Sequence, residues 1–178
     1  MRNGSTEPRI FTPPKRELTR ETSLGFAVID FANNVLGVEL LPWQQFLFVH
    51  ALEIEGDLSS DDRTFLFRTV LVLVARQQGK TMMSEILAMF FLYAMGVNLI
   101  IGTSTNLDAA AEVWDGVVDI AETNDDLANE IADIQRSSGR KTLTLSGRRR
   151  YRITAANRKG ARGKSGDLIL LDELREHQ

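Results

Sequence analysis

The stretch VLVLVARQQGKTMMSE, which runs from Val70 to Glu85, joins an apolar run to a Gly-Lys-Thr triplet. The apolar run belongs to the segment Phe65–Ala75, and its β-branched residues predict a strand buried on both faces, as in a parallel sheet. The residues after the triplet, Thr81–Met95, are apolar nearly all round and predict a buried helix. A strand, a Gly-Lys-Thr turn and a helix in this order are the setting of a phosphate-binding loop.

The triplet supplies the groups that a nucleoside triphosphate needs. Gly79 lets the main chain approach the phosphates without a Cβ clash. Lys80 offers a charge to the β- and γ-phosphates, and Thr81 offers a hydroxyl to Mg²⁺. The usual pattern, G-x-x-x-x-G-K-[ST], would place its first glycine where this chain has Val74. Because the phosphate contacts do not strictly require that glycine, the loop still predicts ATP and Mg²⁺ as ligands.

An acidic pair follows a second apolar run. Leu168–Leu171 predict another buried strand, and Asp172 and Glu173 come directly after it. Ligands of open α/β sheets bind at the carboxyl ends of the strands, where both motifs are expected to lie. We therefore expect Asp172 to bind Mg²⁺ and Glu173 to orient and deprotonate the attacking water. Taken alone, the pair would more simply be explained as the cap of a following helix, and the upstream Gly-Lys-Thr loop is what favours the functional interpretation.

Helices and strands alternate between these motifs, which predicts an α/β fold. The expected class is a P-loop NTPase with a mainly parallel sheet flanked by helices on both faces, in one domain over residues 24–178. Residues 1–23, with three prolines and mixed charge, are expected to form a flexible leader. The remaining predicted elements are helices at Leu24–Leu36, from Pro42, at Leu107–Glu122 and at Asp125–Ile134, a strand at Asn98–Ser104 and a hairpin at Lys141–Ala156 that turns at Ser146-Gly147.

The basic residues are strongly clustered. Of the 21 Lys and Arg in a chain of net charge −3, eleven lie between Arg136 and Lys164, where there is no Asp or Glu. A basic block in an otherwise acidic protein predicts a polyanionic partner such as DNA, RNA or nucleotide phosphates. Arg148, Arg150 and Arg152 would share one face of a strand and could bind DNA phosphates. A solvated face, or pairing with acidic residues of a neighbouring subunit, explains them equally well.

The composition also bounds the location of the protein. The chain has no cysteine, no secretory signal and, in Ile86–Met95, an apolar run too short to span a bilayer, which needs about 20 residues. We therefore expect a soluble, intracellular protein without a membrane partner. Two histidines and no cysteine make no zinc site.

Four segments, in this order, resemble the ATPase half of the large terminase subunit of tailed phages, an additional-strand P-loop NTPase. PWQQ resembles the glutamine motif that reads adenine, and ARQQGKT resembles a Walker A variant that begins with Arg-Gln. ITAANRKGARGKSGDLILLDE resembles the segment from an arginine-bearing loop into Walker B. GTSTNLDAAAEVW resembles the region after the next strand. These segments lie at Pro42–Gln45, Ala75–Thr81, Ile153–Glu173 and Gly102–Trp114.

The resemblance implies an ATPase that couples hydrolysis to translocation of double-stranded DNA into a procapsid. Arg76 would contact the γ-phosphate and Arg162 would act on a neighbouring subunit's ATP, although Arg158, Lys159 and Lys164 lie close to it in sequence. Gln44 would read adenine, with Gln45 an equal candidate by spacing. The implied catalytic residues are Glu173, Arg162 and Arg76, and the implied ATP-binding residues are Gln44, Arg76, Gln77, Gln78, Gly79, Lys80, Thr81 and Met82.

The resemblance further implies a portal protein and a small terminase subunit as partners. It also implies a homo-oligomeric ring, a pentamer, and a place in the host cytoplasm rather than in the mature virion. The family also carries a coupling motif and an endonuclease domain after Walker B, whereas this chain ends five residues after Glu173. We therefore expect a domain truncated after the Walker B strand, whether as a fragment, as part of a longer protein or as a split gene.

Two other functions fit the same motifs. A helicase-like DNA-dependent ATPase also uses a glutamine motif and Asp-Glu, but its P-loop usually retains the first glycine. A nucleotide-binding scaffolding module would bind ATP without turnover. An assay that measures binding and hydrolysis separately distinguishes the second of these from an enzyme.

Overall fold

The computed structural model describes residues 7–56, 64–104, 107–137, 140–155 and 166–172. The chain divides into two compact units, residues 1–76 and residues 77–178. The boundary falls inside the quoted stretch, between Arg76 and Gln77. Each unit is built around its own helices.

The first unit contains two packed helices, α1 (Gly25–Asn34) and α2 (Pro42–Ala51). Proline is favoured at the first position of a helix because its missing N–H would have no helical partner there, and this explains why α2 begins at Pro42. The helices pack closely at Gly25, where an added Cβ would lie 2.3 Å from the carbonyl oxygen of Phe48. A short antiparallel pair, β1 (Ile54–Glu55) and β2 (Thr64–Phe65), completes this unit.

Part of the predicted leader is held by hydrogen bonds within the first unit. The Lys15 N–H donates to the buried carboxylate of Glu53 at 3.1 Å, and the Arg16 guanidinium donates to the Ile54 carbonyl. Ser23 donates from Oγ to the Val49 carbonyl at 2.6 Å. These bonds account for the ordered course of the chain from Lys15 into α1.

The second unit is a five-stranded sheet with helices. Helix α3 (Lys80–Met89) continues as one π-helical turn (Phe90–Ala94), and α4 (Leu107–Thr123) and the short α5 (Asp125–Ala128) follow after β3. The sheet order is β4-β5-β6-β3-β7. The strands are β3 (Leu99–Ser104), β4 (Ile131–Ser137), β5 (Arg140–Leu145), β6 (Arg150–Ala155) and β7 (Leu168–Asp172).

The sheet is mixed rather than mainly parallel, which corrects the expected class. Strand β3 is parallel to both β6 and β7, whereas β5 is antiparallel to both β4 and β6. The antiparallel half arises from hairpins, because strands joined by a tight turn must run in opposite directions. The turn at Ser146–Arg148 is the one that the sequence predicts, while β4 was not predicted.

Helix α4 covers one face of this sheet, and α3 packs against α4. Trp114 of α4 is fully buried and donates from Nε1 to the carbonyl of Tyr151 at 3.2 Å. At the hairpin end, Lys141 Nζ binds the Asp115 carboxylate at 2.6 Å. We call this the helix-covered face. Its strand residues in the parallel half are Ile100, Gly102 and Ser104 on β3, Tyr151 and Ile153 on β6, and Leu168, Leu170 and Asp172 on β7.

Two predicted elements are wrong. Of the segment Phe65–Ala75, only Phe65 lies in a strand, and Val70, Leu71, Val72 and Leu73 are 46%, 67%, 39% and 84% exposed. An extended segment becomes a strand only when a neighbour pairs its N–H and C=O groups, and no described strand does so here. Asp125–Ile134 was predicted as a helix, but α5 ends at Ala128 and β4 begins at Ile131, because pairing with β5 overrides the local preference.

Among the residues described, no helix is both long and apolar enough to cross a membrane.

Candidate functional site

The Gly-Lys-Thr triplet lies in a tight turn that enters α3. Gln77 and Gly79 both have left-handed backbone conformations, with φ of 60° and 82°, and the helix begins at Lys80. Gly79 needs its glycine because other residues rarely adopt this conformation. Alternating backbone conformations of this kind turn successive N–H groups inward, and the helix N-terminus adds partial positive charge. The turn is therefore suited to bind an anion.

Gln77 is the non-glycine residue of this turn with positive φ. Positive φ costs free energy for a residue other than glycine. Such residues are concentrated at ligand sites, where the surrounding structure holds them in this conformation. The conformation of Gln77 therefore adds to the case for a binding loop. Its neighbour Gln78 is exposed, and Thr81 and Met82 are half-buried in the first turn of α3.

The structure brings the Gly-Lys-Thr turn and the acidic strand end together. The Nζ atom of Lys80 lies 4.0 Å from Oδ1 of Asp172, and the two side chains are 39% and 30% exposed. This distance exceeds that of a direct hydrogen bond, about 2.7–3.2 Å, so the charges attract each other without being locked in contact. Both groups thus reach the carboxyl end of β7, as the two motifs predict.

Ser104 is a further candidate for the site that the sequence motifs do not identify. It is the direct partner of Asp172 in the parallel pairing of β3 with β7, so both side chains leave the same face of the sheet. Ser104 is 1% exposed, and its Oγ has no hydrogen-bond partner among the described residues. A buried hydroxyl is normally hydrogen-bonded, so an unpaired one beside a charged cleft calls for an explanation. The signal available in the sequence was a hydroxyl residue at the end of a predicted strand.

Below the acidic strand end the second unit is closely packed. Ser84 of α3, Gly102, Leu170 and Tyr151 enclose a cavity of about 10 Å³, too small for a ligand. A Cβ on Gly102 would lie 2.8 Å from the Tyr151 hydroxyl. Burial, with a smaller contribution from the charge of Glu85, raises the pKa of Tyr151 far above its usual value, so it stays a neutral phenol. A ligand would therefore bind outside this packed region, on the side of the Gly-Lys-Thr turn.

A carboxyl group lies behind the loop helix. Burial, and then the charges of Glu112 and Asp119, raise the pKa of Glu85 above its ordinary value of 4.5. Its Oε1 occupies the space beside Gly116, where an added Cβ would be only 2.1 Å away. Glu85 therefore links α3 to α4.

The oxygen donors predicted for Mg²⁺ fit that ion in kind. Thr81 follows Lys80 in the first turn of α3, and Asp172 ends β7. The described residues contain no group of three His, Cys, Asp or Glu that could hold a metal by themselves. Mg²⁺ in phosphoryl-transfer sites usually has only one or two protein ligands, the others being phosphates and water. The donor set therefore fits a metal that binds together with a phosphate.

The two candidate adenine-reading glutamines have different settings in the first unit. Gln44 is fully buried; its Oε1 accepts from the Leu41 N–H at 2.8 Å, while its Nε2 has no partner among the residues that are described. Gln45 donates from Nε2 to the Leu40 carbonyl at 2.8 Å and lines a groove of about 470 Å³ between α1 and α2. The rings of Phe46 and His50, which stack with their centroids 3.8 Å apart, line the same groove.

The remaining predicted residues are placed only in part. Arg76, the last residue of the first unit, is exposed. Arg162 and Glu173 lie outside the described residues, as do Arg158, Lys159 and Lys164. Arg148 lies in the turn between β5 and β6, and Arg150 and Arg152 lie on β6.

Comparison with solved structures shows what fold this is. The crystal structure of the HK97 bacteriophage large terminase matches 85% of the present chain with a TM-score of 0.66. The two sequences are 21% identical over the match, so the likeness shows the fold alone. The chain spans 31% of the length of that protein. No family model and no curated protein matches the sequence.

Proposed function

We propose that this chain is an ATP-hydrolysing module of a viral DNA-packaging motor. The observation that carries the proposal is the approach of Lys80 to Asp172, at 4.0 Å, at the carboxyl end of β7. The left-handed turn at Gly79 and the likeness to a large terminase add support. A lysine, a helix N-terminus and a carboxylate converging in this way form a site for a phosphate with its metal.

In this proposal the chain's own residues bind and position the reacting groups. The backbone N–H groups of the turn and Lys80 bind the β- and γ-phosphates, and Thr81 and Asp172 hold the metal. Mg²⁺, when bound, neutralises charge that develops on the phosphates. Glu173, which follows Asp172, takes the proton of the attacking water, and Ser104 orients a polar group beside Asp172.

The proposal assigns the remaining functions as the resemblance implies. Arg76 stabilises charge on the γ-phosphate, Arg162 acts on a neighbouring subunit's ATP, and Gln44 reads adenine, with Gln45 as the competing candidate. Double-stranded DNA, a portal protein and a small terminase subunit are the proposed partners. The proposed assembly is a pentameric ring in the host cytoplasm.

The test measures binding and turnover separately on the full chain. Binding is followed with a fluorescent ATP analogue and turnover by phosphate release. We expect Lys80→Ala and Asp172→Asn each to lower turnover by about 10²–10³-fold, the effect of removing one preorganised charge from such a site. The double variant should be little worse than either single one, because residues that act as a unit are not additive.

Glu173→Gln separates the enzyme from a binding module. For an ATPase, this variant keeps nucleotide affinity and loses turnover. If the wild-type chain binds the analogue but releases no phosphate, the scaffolding alternative is correct. If neither the wild type nor Lys80→Ala binds it, the site is not a nucleotide site. Strand separation of a DNA duplex driven by ATP would favour the helicase-like alternative.

A further inference from the structure

The basic block contains two structurally different sets of residues. The first set is neutralised within the second unit. Arg136 binds Glu122 at 2.6 Å, Lys141 binds Asp115, and Arg149 binds Glu130 and the Leu92 carbonyl. These three side chains have structural partners and are not needed to explain a polyanion site.

The second set consists of Arg148, Arg150 and Arg152, which we call the arginine face. None of the three forms an ion pair with any carboxylate in the described part of the chain. Arg148 and Arg150 are exposed, and Arg152 has a buried Nε without a hydrogen-bond partner in the part of the chain that the structure describes. Among the described residues, then, these three guanidinium groups lie within a few residues of one another without an acidic partner.

Two members of the arginine face, Arg150 and Arg152, lie opposite the helix-covered face. Arg150 and Arg152 alternate with the buried Tyr151 along β6, so their side chains leave the sheet on the side away from α4. Directly opposite them on β5 are Thr144 and Thr142. Guanidinium and hydroxyl groups are the usual donors to phosphate oxygens.

An acidic residue also shares this surface. Asp133 of β4 pairs with Thr144 and accepts from Gln135 Nε2 at 3.1 Å. With Asp133 included, the arginine face still has a surplus of positive charge.

The turn before β6 supports a binding role for Arg148. Gly147 and Arg148 both have left-handed conformations, with φ of 77° and 68°. Glycine, asparagine or aspartate would suit the second position better than arginine does. The geometry of the turn therefore does not explain why arginine is present, whereas an exposed charge at the tip of the hairpin does.

We propose that the arginine face binds the phosphate backbone of duplex DNA without reading its sequence. The choice of DNA over other polyanions rests on the proposed function, and the charge complementarity rests on the described residues. The competing occupant is an acidic surface of a second copy of this chain.

The test compares two double variants that remove the same charge from neighbouring places. Arg150→Gln/Arg152→Gln removes two unpaired arginines, and Arg136→Gln/Lys141→Gln removes two that are already paired with acids. Affinity for a random-sequence duplex is measured by fluorescence anisotropy in KCl from about 50 to 200 mM. Each lost phosphate contact should lower the salt slope of log K by about 0.9, so the first variant should lose about 1.8 and the second almost nothing.

Arg148→Gly is the third variant, because glycine suits the turn. We expect it to unfold at the same or a higher temperature than the wild type and to lose about one phosphate contact in the salt slope. Circular dichroism checks that all variants are folded.

Three outcomes overturn the proposal. They are no DNA binding by the wild type at low salt, equal slopes for the two double variants, and loss of self-association instead of DNA binding in the first variant. The fluorescent ATP analogue is titrated in parallel. Failure of the wild type to bind the analogue would contradict the proposed function. A salt slope for DNA binding that changes in the arginine variants, with nucleotide binding unchanged, reports on the arginine face alone.

Discussion

Two apolar runs in this chain have nearly the same composition but different structures. Val70–Val74 and Leu168–Leu171 each contain only Leu, Val or Ile and each lead directly to a predicted site motif. The second run forms β7, paired with β3, whereas the first forms no strand and exposes Leu73 by 84%. The comparison shows that a β-rich apolar run is only a potential strand. Whether it becomes one depends on a partner elsewhere in the chain.

The largest expected difference between the two runs is in stability. Leu170→Asp places a charge beside the packed Gly102 and Tyr151 and should lower the free energy of unfolding by about 2 kcal/mol or more. Leu71→Asp, at a position that is 67% exposed, should change it by no more than about 0.5 kcal/mol. Urea denaturation measures both. A loss for Leu71→Asp as large as that for Leu170→Asp would mean that the first run is buried, and the contrast would disappear.

A smaller effect is expected at the end of β3, next to the second run. Ser104→Ala should lower turnover about three- to tenfold, the value of one hydrogen bond, because the hydroxyl adjoins Asp172. Stability should not fall, since the Ser104 hydroxyl has no partner to lose.

Thr103→Val is the matched control for Ser104→Ala. Thr103 is also a buried hydroxyl residue without a partner, but its side chain leaves the opposite face of the sheet. Equal losses of turnover in the two variants would show that Ser104 has only a structural role.

The smallest expected effect is a change in thermal stability that arises from Glu85. This residue lies on α3, the helix that follows Val70–Val74 and the Gly-Lys-Thr turn. The raised pKa of Glu85 means that its contribution to stability is fully present below pH 4.5 and is lost as pH rises through the folded-state pKa. Glu85→Gln should therefore raise the thermal unfolding temperature at pH 7, and the gain should vanish below pH 4.5. Thermal melts across this range measure it. Glu112→Gln, which removes only one of the neighbouring charges, should give a smaller gain, and a loss at pH 7 for Glu85→Gln would contradict the assignment.

Local patterns predicted much of the fold. The apolar periodicity located α1, the alanine-rich composition located α4, Pro42 marked the first residue of α2, and Ser146-Gly147 marked the hairpin turn. These features depend on the side chains and backbone preferences of neighbouring residues. The strand β4 was missed because its residues carry no clear alternation and depend on pairing with β5.

The candidate site was predictable only where its residues belong to a local sequence motif. Gly79 and Lys80 belong to one local motif, and Asp172 follows a recognisable strand. Ser104 was missed because its role depends on the register between β3 and β7, which no local pattern specifies. The division of the basic block into paired and unpaired residues likewise depends on which acids α4 and its neighbours bring close.

By itself, then, the sequence determined where the chain turns, which helices are amphipathic or buried and which residues are candidates to bind phosphate. All of these follow from short-range sterics and side-chain chemistry. Only the tertiary structure decided that the sheet is mixed, that no described strand pairs with Val70–Val74, that Lys80 approaches Asp172, and that Ser104 lies on the same face as Asp172. Strand partners and register join residues far apart in sequence, and the free energy of those contacts exists only once the chain has folded.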